Sequence, residues 1–400
     1  MTPAIGDGMN TLGYANQGER HPVVSVVIVN WNNWRDTIEC LESLYQMAYP
    51  NYHVVLVDNA STDESREKIL SYANGKTVPE HVQRVGYSPT NKPLSVLVLD
   101  SAGGPSTTSG HGTMLPSKVD LTMILNATNL GFGCGNNVGI EYSAKAFSPD
   151  YVLLLNNDTI VDEGFLDELI KGIEMHPRAG IAGPEILFYD FRGRQDVVNS
   201  VGGYLTLCKG ESRRMGFREI DTGQYSGIRT VDDLTGACLL VKSEVFEKVG
   251  LFDSDYFLYW EDSDLVYRAR RQGYEIVIVP SSVIWHKTSA STGGWDSPVY
   301  TYYYVRNMFL FVAKNGNGIQ LFGFLFYFSF HKSILILGSL MSRSGRLRLL
   351  VAFLRGVFDG MRFVVGVDKA KETVTRSPPL THFSGSQETL FPDLDGAYGA

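Results

Sequence analysis

Three apolar segments, each ending in a polar side chain, limit the folds that this chain can adopt. The segments are Val23–Asn30, Tyr52–Asp58 and Tyr151–Asp158. Each is apolar at consecutive positions, which is typical of a strand whose two faces are both buried. Between the first two segments, apolar residues recur at helical spacing over residues 38–45. This alternation predicts an α/β fold, with a mostly parallel sheet flanked by helices.

The polar ends of these strands are predicted to form a ligand site. Open parallel sheets bind ligands beyond the carboxyl ends of their strands, where Asn30, Asp58 and Asn156–Asp158 are expected to lie. The oxygens of Asn156 and Asp158 suit a hard divalent cation that also carries phosphates. Each of these Asn and Asp side chains alone could simply form the hydrogen bonds of a turn. Three strand ends with the same pattern favour a ligand site.

A glycine-rich segment, Asn129–Ile140, invites comparison with the dinucleotide-binding fingerprint. After Gly131 and Gly133, the third required glycine falls on Asn136, so the spacing of nicotinamide-binding proteins is not met. The glycines instead indicate a close approach of the backbone, either to a ligand or to a packed neighbour.

The region between residues 76 and 118 interrupts the alternation of strands and helices and is predicted to be an insertion. Leu94–Asp100 and Val119–Asn126 have strand-like composition, and a loop rich in Gly and Ser separates them. We expect these two strands to form a hairpin around the loop.

Two acidic residues, Glu261 and Asp262, begin a predicted helix directly after Tyr259 and Trp260. Acids at this position are stabilised by the positive end of the helix dipole, which is a purely structural role. The functional alternative is a positioned carboxylate base under aromatic cover. His286, which follows another strand, is likewise either a hydrogen-bonded structural residue or a metal ligand. The local sequence leaves both choices open.

Charge and cysteine content exclude some classes of protein. A net charge of −8 argues against a general nucleic-acid binder. Arg213 and Arg214, in a polar segment, could meet phosphates or simply face solvent. The 4 Cys are scattered without the spacing of a metal site, which indicates a reduced, cytoplasmic protein.

We predict four regions along the chain. Residues 1–21 are a disordered leader without the pattern of a secretion signal, and residues 22–300 form the main α/β domain. Residues 301–370 form a helical extension, and residues 371–400 are a disordered tail.

The helical extension contains a very apolar and aromatic stretch, Ile319–Met341, which His331 and Lys332 interrupt near its middle. Neither half alone is long enough to span a bilayer, and several arginines follow. The composition favours helices that lie on an anionic membrane surface; the alternative is that they pack on the main domain or on a second subunit.

The chain resembles the inverting family 2 glycosyltransferases, which have a GT-A-type, Rossmann-like nucleotide-sugar fold. The resemblance runs from about Val23 to Asn307 and rests on stretches that occur in the family's order: VSVVIVNWN, VVLVDNASTD, NLGFGCGNN, LLLNNDT, TGACLLV, FLYWEDSDLVYR and WHKTSAST. Each stretch is weak alone, but the ordered set is specific. The pattern is most similar to rhamnosyltransferase-like and galactofuranosyltransferase-like members.

The resemblance implies a donor site and a metal site. The residues implied for nucleotide binding are Asn30, Asp58, Asn59, Asn129, Gly131 and Asn157. Asp158 matches the last acid of the family's Asp-x-Asp metal motif, whose first position is Asn156 in this chain. His286 matches the histidine that completes the coordination of Mn²⁺ or Mg²⁺.

The resemblance also implies a base and an acceptor side. Asp262, the second member of the Glu261–Asp262 pair, is similar to the catalytic base of the family. The residues implied for acceptor binding are Thr235, Gly236, Ala237 and Trp260.

The implied activity is metal-dependent, inverting transfer of a sugar from a nucleoside-diphosphate donor, such as a UDP- or dTDP-sugar. The acceptor would be a hydroxyl of a glycan or lipid-linked molecule in cell-surface polysaccharide synthesis. The implied location is the cytoplasm, with peripheral contact at the inner face of the plasma membrane. Two alternatives are a non-catalytic scaffold at the membrane surface and another nucleotide-binding α/β enzyme.

Overall fold

The computed structural model describes residues 21–79, 86–101, 119–288, 297–341 and 346–366. The predicted leader up to residue 20, the predicted tail, and residues 102–118 of the predicted insertion lie outside these ranges. In chain order the strands are β1 (Val24–Asn30), β2 (Tyr52–Asp58), β3 (Val96–Asp100), β4 (Leu121–Leu125), β5 (Tyr151–Asn156), β6 (Thr159–Val161), β7 (Ala179–Phe188), β8 (Val198–Ser200), β9 (Gly203–Thr206), β10 (Glu211–Arg214), β11 (Arg229–Thr230), β12 (Cys238–Lys242) and β13 (Glu275–His286).

The main sheet has the strand order β11-β13-β7-β12-β5-β1-β2-β4-β3. From β5 to β3 every neighbouring pair is parallel, and β7 and β13 are parallel to each other. Strand β12 runs antiparallel between β5 and β7, while β9 and β10 form a separate antiparallel hairpin. The prediction of an α/β fold with a mostly parallel sheet is confirmed.

Helices cover both faces of the sheet. They are α1 (Trp34–Leu44), α2 (Ser65–Ala73), α3 (Gly131–Phe147), α4 (Phe165–Glu174), α5 (Ser243–Val249) and α6 (Glu261–Arg271). The C-terminal helices α7 (Pro298–Asn315), α8 (Gly318–Tyr327), α9 (Ser333–Met341) and α10 (Arg346–Val364) form a separate hydrophobic cluster. Ile28 and Leu155 belong to the core layer with α1 and α4, whereas Val27 and Leu154 belong to the layer with α3, α5 and α6. Because neighbouring residues of a strand point to opposite faces, both must be apolar.

The expected hairpin is wrong, because β3 and β4 pair in parallel, with Val96 opposite Leu121. Parallel neighbours need a crossover connection of about a dozen residues or more. The chain between Asp100 and Leu121 is long enough for such a crossover. Strand β4 also pairs with β2, so β3 lies at the edge of the parallel part of the sheet.

The apolar stretch of the C-terminal extension forms one helix, from Gly318 to Met341, which is long and apolar enough to cross a membrane. The expectation that it divides into two short halves is wrong. A single π-helical turn, Phe328–Lys332, joins α8 to α9. Lysine is a favourable residue in helices, and the ammonium group of Lys332 is turned toward the protein, where it donates to the carbonyl of Gly210 at 2.5 Å.

The packing of α3 on β1 depends on a glycine. At Gly139 an added Cβ would overlap Cγ1 of Val27. Both residues lie in regular elements that cannot easily separate, so we expect Gly139→Ala to destabilise the fold by about 1–3 kcal/mol. Chemical denaturation monitored by circular dichroism measures this.

A matched control is Gly338→Ala in α9, where an added Cβ meets no atom within 4 Å. This change should be neutral or stabilise the protein by up to about 1 kcal/mol, since Ala has the higher helix propensity. Equal destabilisation by the two substitutions would contradict the account of the α3–β1 contact.

Candidate active site

A cavity of about 1040 Å³ opens at the carboxyl ends of the parallel strands. Most of the site residues predicted from the sequence line it, namely Asn59, Asn129, Gly131, Asn156, Asn157, Asp158, Thr235, Gly236, Ala237, Trp260, Glu261, Asp262 and His286. The folding of the sheet therefore brings together groups that are far apart in the sequence.

Asn30 and Asp58 lie behind the wall of the cavity and not on it. Asn30 is fully buried, and its amide group donates to Asp58 Oδ1 at 2.9 Å and to Ser61 Oγ at 3.1 Å. Its Oδ1 accepts from the hydroxyl of Thr37 at 2.9 Å and from Asn157 Nδ2 at 3.3 Å. This network holds Asn157 at the cavity, and direct contact of Asn30 or Asp58 with a nucleotide stays a prediction.

The glycine-rich segment is held against the strand ends by Asn59. Its Nδ2 donates to Asn129 Oδ1 at 2.9 Å and to the carbonyl of Gly131 at 3.0 Å. Gly131 has a φ of +81°, and an added Cβ would overlap the carbonyl oxygen of Phe257. The sequence left open whether the backbone at the glycine-rich segment approaches a ligand or a packed neighbour. At Gly131 it is a packed neighbour, the backbone of Phe257, that requires glycine.

The candidate metal ligands meet because β13 pairs with β6. In this antiparallel pair His286 lies opposite Thr159, which places its ring beside the preceding residue, Asp158. His286 Nε2 is 3.1 Å from Asp158 Oδ1. Burial would raise the pKa of Asp158, but the charge and hydrogen bond of His286 outweigh burial and hold that pKa below its usual range.

The chemistry of this donor set fits a divalent cation. Asn156 Oδ1 and His286 Nδ1 are buried and have no hydrogen-bond partner in the described part of the chain. Within the same ranges, no group of three His, Cys, Asp or Glu is arranged to hold a metal. One carboxylate, one imidazole and one amide oxygen would leave coordination positions for the oxygens of a bound diphosphate.

Asp262 is held in the first turn of α6 by two backbone N–H groups. Its Oδ2 accepts from Gly236 at 2.7 Å, and its Oδ1 accepts from Ser263 at 2.8 Å. Burial raises the pKa of Asp262, while these donors favour the charged form. A fixed carboxylate whose proton affinity is raised suits a general base.

The neighbouring acid, Glu261, has a different environment. Glu261 is 4% exposed, and its Oε2 has no partner among the residues that the structure describes. Burial, followed by the charge of Asp262, raises the pKa of Glu261 well above its usual range. The raised pKa favours the protonated form of Glu261, whereas Asp262, whose two oxygens accept from backbone N–H groups, stays the predicted base of the pair.

Two family profiles match the chain. "Glycosyltransferase like family 2" matches residues 112–299, and "Glycosyl transferase family 2" matches residues 25–91. The chain belongs to glycosyltransferase family 2. The two matched ranges contain all of the site residues predicted above, on both sides of the cavity.

The relatives of this glycosyltransferase include rhamnosyltransferases. The N-acetylglucosaminyl-diphospho-decaprenol L-rhamnosyltransferase of Mycobacterium tuberculosis is 29% identical over 245 residues, which cover 57% of this chain and 78% of the relative. The dTDP-rhamnosyl transferase RfbF of Shigella flexneri is 25% identical over 254 residues, which cover 61% and 79%. The solved mannosyltransferase PcManGT of Pyrobaculum calidifontis, in complex with GDP-Man and Mn²⁺, has a TM-score of 0.48 at 14% identity and 88% coverage of each chain.

Asp233 is a buried acid of the cavity that the sequence analysis missed. It is 3% exposed, and its Oδ2 accepts from the hydroxyls of Ser212 and, at 2.8 Å, Ser263. Burial and the charge of Asp262 raise the pKa of Asp233 to about 7. No local motif in the sequence marks Asp233, and the adjacent acid, Asp232, forms an ion pair with Arg270.

The turn before α6 is strained and is held by α7. Tyr259 and Trp260 have φ values of +69° and +76°, a left-handed conformation that costs about 1–3 kcal/mol for each non-glycine residue. Fully buried Asn307 donates from Nδ2 to the carbonyls of Leu258 at 2.9 Å and Tyr259 at 3.0 Å. The C-terminal helix thereby fixes the backbone that leads directly into Glu261–Asp262.

The side chain of Trp260 mostly packs against aromatic neighbours. Its ring centroid is 5.1 Å from that of Phe311 and 5.8 Å from that of Tyr304, and only 5% of the residue is exposed. The predicted contact of Trp260 with an acceptor stays a prediction, and its packing gives it a structural role at the cavity wall.

We expect Asn307→Ala to lower the turnover of the transferase about 100-fold, because a shift of roughly 1 Å in a reacting group has an effect of that size. Formation of the glycosylated product measures turnover. The control is Asn315→Ala on the same helix, which removes a 2.8 Å bond to Asp264 on α6. Equal losses in the two variants would contradict a specific effect of the turn on Asp262.

Proposed function

We propose that this glycosyltransferase transfers a sugar, with inversion, from a nucleoside-diphosphate donor to a hydroxyl of a glycan or lipid-linked acceptor. The observation that carries the proposal is that Asp158 and Asp262 line one cavity. Asp158 lies beside His286, while Asp262 is fixed by the N–H groups of Gly236 and Ser263. One carboxylate suits a metal-bound diphosphate and the other suits proton transfer.

The reaction that fits these groups is a single displacement. Asp262 accepts the proton of the acceptor hydroxyl while that oxygen forms a bond to the anomeric carbon. The bond from the anomeric carbon to the diphosphate breaks, and its electron pair leaves with the diphosphate. A divalent cation held by Asp158, His286 and Asn156 would supply Lewis-acid stabilisation of that leaving group. No enzyme nucleophile is required, so the anomeric centre inverts.

Two further features support the choice of donor and pathway. The relatives include transferases named for L-rhamnose and for dTDP-rhamnose, which favours a dTDP- or UDP-linked sugar as the donor. The glycine-rich loop of Asn129 and Gly131 lines the cavity beside Asn157, where it would cover the nucleotide. Cell-surface polysaccharide synthesis is the process that such transfers serve.

The nucleotide test is calorimetric titration with UDP, dTDP, GDP, CDP and NAD, each with and without Mn²⁺ or Mg²⁺. We expect one nucleoside diphosphate to bind more tightly with metal and Asp158→Ala to remove that gain, because the carboxylate would hold the cation. Asp262→Asn should keep nucleotide binding but lower turnover by about 10²-fold or more, since the base is lost. Full turnover in Asp262→Asn, or binding of NAD alone, would refute the proposal.

The acceptor is proposed to be reached at the inner face of the plasma membrane. Most of the large apolar side chains exposed in the described residues lie between Gly318 and Gly366, on α8, the π-helical turn, α9, α10 and the residue after α10, namely Ile319, Phe322, Phe326, Phe330, Ile334, Leu335, Met341, Leu347, Val351, Leu354, Phe358 and Val365. An exposed apolar face of this extent favours contact with a membrane or with another protein.

The charge of α10 favours an anionic bilayer as the partner. Its exposed arginines are Arg346, Arg348, Arg355 and Arg362. The acid on this helix, Asp359, is turned toward the protein, where it accepts from the hydroxyl of Tyr302 at 2.8 Å. A basic, amphipathic helix next to an apolar aromatic one is typical of proteins that lie on anionic lipid.

The helices are proposed to lie in the plane of the membrane surface and not to cross it. Phe324 and Phe328 pack against Phe309 of α7, with ring centroids 5.0 Å and 4.7 Å apart. Lys332 is also bound to the protein, at Gly210. A helix that crossed the bilayer would have to break these contacts and expose a lysine to lipid.

We expect the transferase to float with vesicles containing phosphatidylglycerol, and the double substitution Phe326→Asp and Phe330→Asp to abolish flotation. The reason is that both rings are exposed on the apolar face and a charge there is costly in lipid. The control is Met175→Asp, which changes an apolar side chain 72% exposed elsewhere on the surface. Equal recovery of the wild type and the double variant would contradict membrane contact.

A further inference from the structure

Asn199 of β8 and Arg214 of β10 line the cavity but have no part in the mechanism above. Arg214 Nη1 donates to Asn199 Oδ1 at 3.1 Å. Asn199 is 1% exposed, and its Nδ2 has no partner in the described part of the chain. Because arginine only donates, this bond identifies Oδ1 as the atom facing Arg214. An unsatisfied buried N–H group is costly in the free protein and therefore indicates a ligand that accepts from it.

The charge around these donors points to an anion. No carboxylate within ion-pair distance of Arg214 or Arg218 is found among the described residues, although the chain as a whole carries a net charge of −8. Arg218 also lines the cavity, with its guanidinium 5.0 Å from the ring centroid of Phe217 and its own backbone in the left-handed region. A guanidinium group without a carboxylate partner, next to an amide N–H group without an acceptor, matches the oxygens of a phosphate.

The location of these groups assigns the phosphate to the acceptor. Arg214 and Asn199 line the same cavity as Asp262. Burial raises the pKa of Asp262 overall, and the positive charge of Arg214 opposes that rise, so Arg214 lies close enough to act on the carboxylate that would deprotonate the acceptor. The geometry of β10 also places Arg214 on the side of Asp262. Alternate residues of a strand share a face, and Ser212, two residues before Arg214, donates to Asp233, which lies beside Asp262.

The hairpin that carries Arg214 is tied to the helix with the apolar outer face. Gly210 accepts from Lys332 at 2.5 Å, and Glu211 accepts from the hydroxyl of Tyr327 at 3.1 Å. The strand that begins at Glu211 then leads to Arg214 in the cavity. A phosphate between a sugar and a lipid chain lies at the level of the lipid headgroups. The hairpin of β9 and β10 would therefore connect the proposed membrane-facing helix to the part of the cavity that contains Asp262.

We propose that Arg214 and Asn199, with Arg218 beside them, form a binding subsite for a phosphate group of a lipid-linked acceptor. The subsite rests on the proposed function, because the phosphate and the hydroxyl that Asp262 would deprotonate belong to the same acceptor molecule. The phosphate would bind to Arg214 and Asn199 while the hydroxyl lies at Asp262. It adds the substrate class: the acceptor is anionic and is joined to its lipid through phosphate.

The test is calorimetric binding of farnesyl diphosphate, inorganic diphosphate and farnesol to the full chain in EDTA, which removes metal-dependent binding at the donor site. We expect farnesyl diphosphate to bind the wild type and to bind Arg214→Ala about 10- to 100-fold more weakly, the range for a hydrogen bond to a charged group. Asn199→Asp should weaken the binding of farnesyl diphosphate to a similar extent. The new carboxylate would repel the phosphate and would form an ion pair with Arg214. Farnesol binding should be the same in all variants.

The matched control is Arg213→Ala, the adjacent residue of β10, which carries the same charge but does not line the cavity. An equal loss in Arg213→Ala would show a general effect of charge and overturn the subsite, as would unchanged binding in Arg214→Ala. If inorganic diphosphate binds as tightly as farnesyl diphosphate, the lipid source is refuted.

A last measurement separates this proposal from the donor site. If Arg214→Ala weakens metal-dependent binding of the nucleoside diphosphate, Arg214 serves the donor and the acceptor subsite is refuted. If nucleotide binding still depends on Asp158 while farnesyl diphosphate binding is insensitive to Arg214, only the subsite fails and the proposed function stands.

Discussion

Burial of the central strands on both faces is the constraint on which the site depends. Since β1 and β5 are covered by helices on either side, their side chains can turn polar only where the strands end. The strands from β5 to β3 are parallel, so these polar ends all meet at one edge of the sheet. At this edge the cavity therefore has oxygen and nitrogen atoms directly above an apolar, closely packed sheet, although aromatic side chains such as Phe188 and Phe257 also line it.

The same burial sets the electrostatics of the cavity. Asp158, Glu261, Asp262 and Asp233 are acids at one cavity, and like charges repel more strongly where burial removes solvent. The environment differs at each of them. His286 stabilises the charge of Asp158, two N–H groups stabilise that of Asp262, and burial raises the pKa of Glu261. Similar side chains thus acquire separate chemical properties through their neighbours.

Local patterns in the sequence predicted the fold and one part of the cavity. Consecutive apolar residues indicated buried strands, and the polar groups at Asn156–Asp158 could be recognised because they follow such a strand. The role of Asp262 stayed open in the local sequence, and only the family resemblance assigned it as the base and named the acceptor side of the cavity. His286 was ambiguous, because only the register of β13 against β6 places it beside Asp158. Asn199 and Asp233 could not be found, since neither carries a local motif and each acquires its partners through contacts between distant segments. The parallel pairing of β3 with β4 was missed for a related reason, because composition gives the strands but not the path of the connection.

The contact between Asn307 and the strained turn has a consequence for where the catalytic unit of this chain ends. The family profile stops at residue 299, and the predicted boundary of the main domain, at residue 300, falls inside α7. Asn307 nevertheless bonds to Leu258 and Tyr259, immediately before the acids of the cavity. A boundary drawn from sequence similarity therefore separates the proposed base, Asp262, from the helix that holds the turn before it. A protein divided at the family boundary would keep its sheet but lose the bonds of Asn307 to that turn, so α7 belongs to the same structural unit as the cavity.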